Sequence, residues 1–182
     1  MDHGGGSPVL PLLHGLPPIL DAGVRLLILG SFPSPASLAA QQYYGHRQNQ
    51  FWRLLGAVLD QPLPTMCYAD RQATLLRHGI GVWDVYRTCR RQGALDSAIE
   101  AAQVNDFSCL RQHAPGLRRI CFNGQTAGKL AAWFAQEGYE TAVLPSSSPA
   151  YTLAFADKLA AWRAAGLDSY VAGERERAPS GE

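Results

Sequence analysis

Four short stretches of the chain collect residues whose types could do chemistry. Asn49 closes a run, Gly30–Asn49, that is rich in Gly, Pro, Ser, Gln and Tyr. An amide placed there can cap the helix that follows or face a functional loop, donating and accepting hydrogen bonds in one plane. Asp84 ends an apolar run and is followed by Arg87, Arg90 and Arg91, which form either a phosphate-facing edge or a wet loop. Asn123, in Phe122–Asn123–Gly124, stands where a strand gives way to a helix, so its amide suits the edge of a base and equally suits a cap. Ser146, Ser147 and Ser148 lie between Pro145 and Pro149. They offer hydroxyls and backbone N–H groups at a helix start, where anions are favoured, or they cap that helix.

These stretches need a scaffold, and the hydrophobic pattern describes one. Val24–Leu29 is a short apolar run ending at Gly30, the pattern of a buried parallel strand. Gly81–Tyr86, Arg119–Phe122 and Thr141–Leu144 read as three more strands. Phe51, Leu54, Leu55, Val58 and Leu59 recur at helical spacing. Adjacent helical side chains diverge, so one of Phe51 and Trp52 is expected to face a pocket. Further helices are predicted at Tyr68–His78, closed by Gly79, at Phe107–Gln112, at Gln125–Gln136, closed by Gly138, and at Leu153–Ala165, closed by Gly166. Alternation of this kind gives an α/β fold with a parallel sheet covered on both faces, and ligands then bind beyond the carboxyl ends of the strands. All four candidate stretches fall at those ends.

The Gly- and Pro-rich residues 1–20 are expected to form a flexible arm, residues 21–170 one domain, and residues 171–182 a disordered tail. A length of 182 residues suits one domain with a real core. The longest apolar run, Leu130–Ala135, is far short of a membrane span, and no secretory leader pattern is evident. Cys67, Cys89, Cys109 and Cys121 include no C-x-x-C pair, so reduced thiols in a cytosolic protein are expected rather than a metal site. The net charge is +1, but residues 25–119 carry 11 Arg against 6 Asp or Glu, a local +5 that suits a polyanionic partner or a solvated surface.

Taken in order, GSFPSPASL, YYGHRQNQFW, GIGVWDV with GALDSAI, FNG and LPSSSPAY resemble the uracil-DNA glycosylase superfamily, and most of all its hypoxanthine-DNA (deoxyinosine) glycosylase branch. The resemblance runs from about Leu16 to Gly166. It implies a three-layer α/β/α sandwich with a short four-stranded parallel sheet, and hydrolytic release of hypoxanthine from DNA to leave an abasic site. It implies Asn49 as the catalytic group holding water, Phe51 as the ring stacked on the extruded base, and Asn123 as the reader of its edge. Phe32, Tyr44 and Asp84 would also border the base, while Ser146, Ser147, Ser148 and Tyr151, with Arg87 and Arg90, would meet the DNA. Three positions depart from wider patterns: Phe32 stands where most members have an acid or Asn, Arg47 where Pro is usual, and Leu144 where uracil enzymes have His.

The two lysines, Lys129 and Lys158, fall inside predicted helices, which argues against Schiff-base lyase chemistry. Expected partners are DNA containing deaminated bases, with no metal, no organic cofactor and no membrane. A monomer in a bacterial cytosol or nucleoid is the expected setting. A uracil or mixed-specificity glycosylase, and a non-catalytic nucleic-acid-binding module, are the alternatives.

Overall fold

The structure, a computed structural model, describes Gly6 and residues 8–167. In chain order it runs β1 (Leu13–His14), β2 (Leu26–Gly30), α1 (Pro35–Ala40), α2 (Phe51–Leu59), α3 (Tyr68–Arg77), β3 (Ile80–Asp84) and β4 (Tyr86–Arg90). There follow β5 (Glu100–Val104), α4 (Leu110–His113), β6 (Arg119–Asn123), α5 (Gln125–Gly128), α6 (Ala131–Gln136), β7 (Glu140–Leu144) and α7 (Phe155–Trp162).

Every residue of β2 and β3 is buried, because apolar side chains alternate to both faces and both faces are covered. Leu26 and Ile28 pack with Phe51, Trp52, Leu55 and Trp162 on one side, beneath α2, α3 and α7. Leu27 and Leu29 pack with Phe107, Leu110, Phe122 and Phe134 on the other, beneath α4, α5 and α6. The result is the expected three-layer α/β/α fold around a four-stranded parallel sheet, whose strand order is β3-β2-β6-β7. Its register sets Gly30 against Asp84, Leu29 against Phe122 and Asn123 against Leu144, so all four carboxyl ends emerge along one edge.

Several local expectations need correction. The strand predicted at Gly81–Tyr86 does not run on to Tyr86; it ends at Asp84, and Tyr86–Arg90 forms the centre of a second, antiparallel sheet in the order β1-β4-β5. Arg87 and Arg90 therefore lie on a strand rather than in a loop. The helix foreseen at Gln125–Gln136 is two short helices, interrupted at Lys129–Leu130. The loose arm is shorter than its Gly and Pro content suggested: Leu13 and His14 pair with Cys89 and Thr88, and Leu16 and Ile19 are buried. Ile19 also exchanges backbone hydrogen bonds with Val82. The expected tail, residues 171–182, lies outside the described residues. No described helix is long and apolar enough to cross a membrane.

Candidate active site

Loops leaving the four strand ends enclose a cavity of about 390 Å³, lined by Phe32, Tyr44, Asn49, Asp84, Asn123 and the Ser146–Tyr151 segment. That volume is within the usual range of small-ligand sites. Asn49, Asn123, Ser146, Ser147, Ser148, Tyr151, Phe32, Tyr44 and Asp84 are thus brought together, whereas Phe51, Arg87 and Arg90 are not among its walls. Ala94, Leu95 and Asp96, from the GALDSAI stretch that carried part of the resemblance, join the rim, although no site role was expected of them.

Ser147 is the hub. It is fully buried, and its four hydrogen bonds reach two segments remote in sequence. Its N–H donates to Asn123 Oδ1 at 2.9 Å, and its Oγ accepts from Asn123 Nδ2 at 2.9 Å. The hydroxyl proton goes to Asn49 Oδ1 at 2.8 Å, and the Ser147 carbonyl accepts the Gln50 N–H at 3.0 Å. Ser147 is therefore not a surface contact, in contrast to the expectation for the three serines. Asn49 Oδ1 also accepts the Phe51 N–H at 3.0 Å, so the amide braces the start of α2 and still reaches the pocket wall. Asn123 caps no helix; Gly124 occupies that position with φ +101°, where a side chain would be strained and its Cβ would press on Ser146. Both polar atoms of the Asn123 amide are engaged with Ser147, which leaves one Nδ2 hydrogen for anything in the cavity.

The aromatic rings sort differently from the sequence reading. Phe51 and Trp52 are both buried, because the loop before α2 folds back over the helix start. Trp52 Nε1 donates to the Tyr43 carbonyl at 3.0 Å, and Tyr44 stacks on Phe51 with centroids 3.9 Å apart and planes 16° off parallel. The ring facing the cavity is thus Tyr44, with Phe51 behind it. Phe32 lines the pocket floor under the Arg91 guanidinium, 5.4 Å from the ring centre. Arg91 itself is buried and donates to the Pro33 carbonyl, so it is no phosphate-facing group. Arg90 donates to the Leu10 carbonyl, while Arg87 is exposed beside Gln103.

The final loop is stiffened from within. Ser146 Oγ accepts the Ser148 N–H at 3.1 Å, and Ser148 Oγ accepts the Ala150 N–H at 3.2 Å. Lys158, although on α7 as foreseen, is buried and reaches under this loop to donate to the Ser148 carbonyl at 3.2 Å. Burial pulls its ammonium below the ordinary lysine range. Tyr151 projects from the same loop and is exposed at the cavity rim. Among the described residues, no three His, Cys, Asp or Glu side chains converge as metal ligands would.

Gly30 explains why the first loop starts as it does. A Cβ there would lie 2.6 Å from Asp84 Oδ1 and 2.7 Å from Tyr44 Oη, so hydrogen is the only substituent that fits. Overpacking of this kind costs ~1–3 kcal/mol. Gly30→Ala is expected to lower the melting temperature by roughly 2–10 °C, read by circular dichroism. An unchanged melting temperature would mean that Asp84 and Tyr44 both move aside freely.

Comparison with known proteins agrees with this geometry. Residues 17–166 match the model of the Uracil DNA glycosylase superfamily. A protein of Methanosarcina acetivorans named hypoxanthine DNA glycosylase is 47% identical over 137 residues, 75% of this chain and 87% of the relative. One of the same name from Methanosarcina barkeri is 39% identical over 149 residues, 82% of this chain and 94% of the relative. A solution NMR structure from Methanosarcina acetivorans, provisionally assigned as a uracil DNA glycosylase, superposes with a TM-score of 0.80 at 41% identity, covering 88% of this chain and 99% of that one. A family match across most of the chain, relatives this similar and a shared arrangement of strands give one conclusion: the chain belongs to the uracil DNA glycosylase superfamily.

Proposed function

We infer that the protein is a hypoxanthine DNA glycosylase, which extrudes the deaminated base from DNA and hydrolyses its N-glycosidic bond to leave an abasic site. The observation that carries this reading is the pair of amides, Asn49 and Asn123, pinned by one buried serine at the wall of a pocket. The names of the two Methanosarcina relatives support the choice of base.

The anomeric carbon is inaccessible inside a duplex, so the nucleotide must leave the stack first. Tyr151, exposed on the rim, suits the space that the base vacates, and Tyr44, backed by Phe51, offers a flat face to the base itself. Breaking the bond builds positive charge on the sugar and negative charge on the base. An amide has no useful pKa, so Asn49 acts by position. With Oδ1 already accepting from Phe51 and Ser147, its Nδ2 hydrogens are what it turns to a water, holding one lone pair and leaving another for the sugar. Asn123, through its remaining hydrogen, donates to a lactam carbonyl of the base. Phe32 and Leu144 replace the groups that the superfamily pattern supplies for uracil work, which weighs against uracil as the preferred base.

The test is base release from duplexes holding inosine or uracil, followed by alkaline strand nicking. Nicking of inosine DNA only after alkali supports a monofunctional hypoxanthine enzyme. Preference for uracil would replace the substrate, nicking without alkali would replace the mechanism, and binding with no release would leave only a nucleic-acid-binding module. We place the protein with the chromosome, in the cytosol or nucleoid, acting as a monomer. A bacterial source gains no support from relatives that come from Methanosarcina.

The modest basic surface has a measurable consequence. With roughly three to five phosphate contacts, among them exposed Arg87 on β4, affinity for DNA is expected to fall by about one and a half to three orders of magnitude between about 50 and 200 mM salt. Fluorescence anisotropy with a labelled duplex measures this, and a flat response would point to a free nucleoside as substrate.

A further inference from the structure

Asp84 closes β3 with its carboxyl group in the cavity wall and is only 4% exposed. Its Oδ2 is buried and has no hydrogen-bond partner, while Oδ1 crowds the same spot above Gly30 as the Tyr44 hydroxyl, which also lacks a partner. Arg91 makes no hydrogen bond to it: Nη2 is given to the Pro33 carbonyl, and Nε and Nη1 are themselves buried without hydrogen bonds. A bare carboxylate at this depth is costly, and binding a proton removes the cost. Nothing in the mechanism so far uses this group, yet a base held in the cavity that Asp84 lines would accumulate negative charge as it departs, with Leu144 at the place where uracil enzymes have a histidine.

We propose that Asp84 is the general acid of the reaction, delivering its proton to the leaving base. This rests on the reading of the protein as a hypoxanthine glycosylase. The bond between sugar carbon and base nitrogen breaks with its electron pair going to the base. At the same time the Asp84 O–H bond breaks, and a new N–H or O–H bond forms on the base, which departs neutral. The water oxygen bonds to the sugar carbon, and the proton it releases returns to the Asp84 carboxylate directly or through solvent. The sum is one water consumed and one base released.

The charged and titratable groups around Asp84 are consistent with a held proton. Burial pushes its carboxyl up to about 7, Asp96 adds to the rise, and Arg91 opposes it. Asp96 is fixed at the rim by Ser31 Oγ at 2.6 Å. Tyr43 and Tyr44 share the neighbourhood, and burial raises both phenols far beyond the ordinary tyrosine range. His46 also lines the cavity, so it must be controlled for in any pH profile.

The experiment is single-turnover release of hypoxanthine from inosine duplex between pH 5.5 and 9, for wild type, Asp84→Asn and His46→Gln. Wild type is expected to be flat below about pH 7 and to fall about tenfold per pH unit above it. Asp84→Asn, isosteric but unable to give up a proton, is expected to be slower by on the order of 10² at pH 6 and to lack the alkaline limb, with DNA affinity retained. His46→Gln is expected to keep that limb. An Asp84→Asn rate within about threefold of wild type, or the same limb in that variant, overturns the proposal. Melting temperature supplies a readout free of activity. The folded carboxyl holds its proton between about pH 4 and 7 while the unfolded one has lost it, so wild type should lose stability relative to Asp84→Asn as pH rises through that window. A constant difference between the two proteins would show that no proton is held at Asp84. Wild type that melts as expected but releases no hypoxanthine at any pH would overturn the substrate reading instead.

Discussion

Asn49→Ala is expected to slow single-turnover release of hypoxanthine by ~10²–10³, with affinity for inosine duplex within a few fold of wild type. The expectation comes from the absence of any acid or amide at Phe32, which under the proposed function leaves Asn49 to hold the water. Its removal also takes away the acceptor used by the Phe51 N–H and the Ser147 hydroxyl. Two such bonds are worth ~1 kcal/mol each, so the melting temperature should drop by roughly 4–8 °C. Both readouts are needed on the same sample at a temperature well below unfolding. A large thermal shift with a near-wild-type rate would reduce Asn49 to a brace for α2.

Asn123→Ala is expected to act twice, by removing the proposed donor to the base and, at one remove, through Ser147. The substitution strips Ser147 of the acceptor for its N–H and of the donor to its Oγ, so the serine is free to turn away from Asn49. Leaving buried polar groups without partners costs ~1–3 kcal/mol each, which corresponds to a fall of roughly 4–20 °C in melting temperature for two of them. Release should slow by on the order of 10² as the water-holding amide loses its orientation. A double-mutant cycle with Ser147→Ala tests the coupling, because residues in one hydrogen-bond network are strongly non-additive. Simple addition of the two effects would show that Asn123 and Ser147 act on the rate independently. A lowered melting temperature with an unchanged rate would confine Asn123 to the scaffold.

The sheet was legible because burial on both faces leaves a plain trace. Leu26–Leu29 has no polar residue to offer solvent, and Gly30, Gly79 and Gly124 punctuate the chain where it must turn. The second sheet left no such trace. Glu100–Val104 is exposed along its whole length, and its pairing with β4 is made by backbone groups that side-chain periodicity does not report. The site was legible as a set of loops but not as a network. Nothing local separates Ser147 from its neighbours Ser146 and Ser148; only the sheet register, which sets Asn123 against Leu144, makes the middle one the buried one. The rings at Phe51 and Trp52 misled for a related reason. Helical spacing treats a helix as if only its own faces mattered, and here the preceding loop supplies Tyr43 and Tyr44 as a cover for both.

The bond from Ser147 to Asn49 spans 98 positions of chain, and the bonds from Ser147 to Asn123 span 24. Contacts so far apart form late, since distant segments must first be brought together against chain entropy. During synthesis the strands β2, β3 and β6 and the loop carrying Asn49 all emerge before the serine that orients them. A nascent chain, or one clipped ahead of Leu144, can own most of the core and still possess no pin. Under the proposed function, such a fragment keeps exposed Arg87 but is expected to release no base. On that reading, base release reports completed folding, because the pin that orients both amides is made after them.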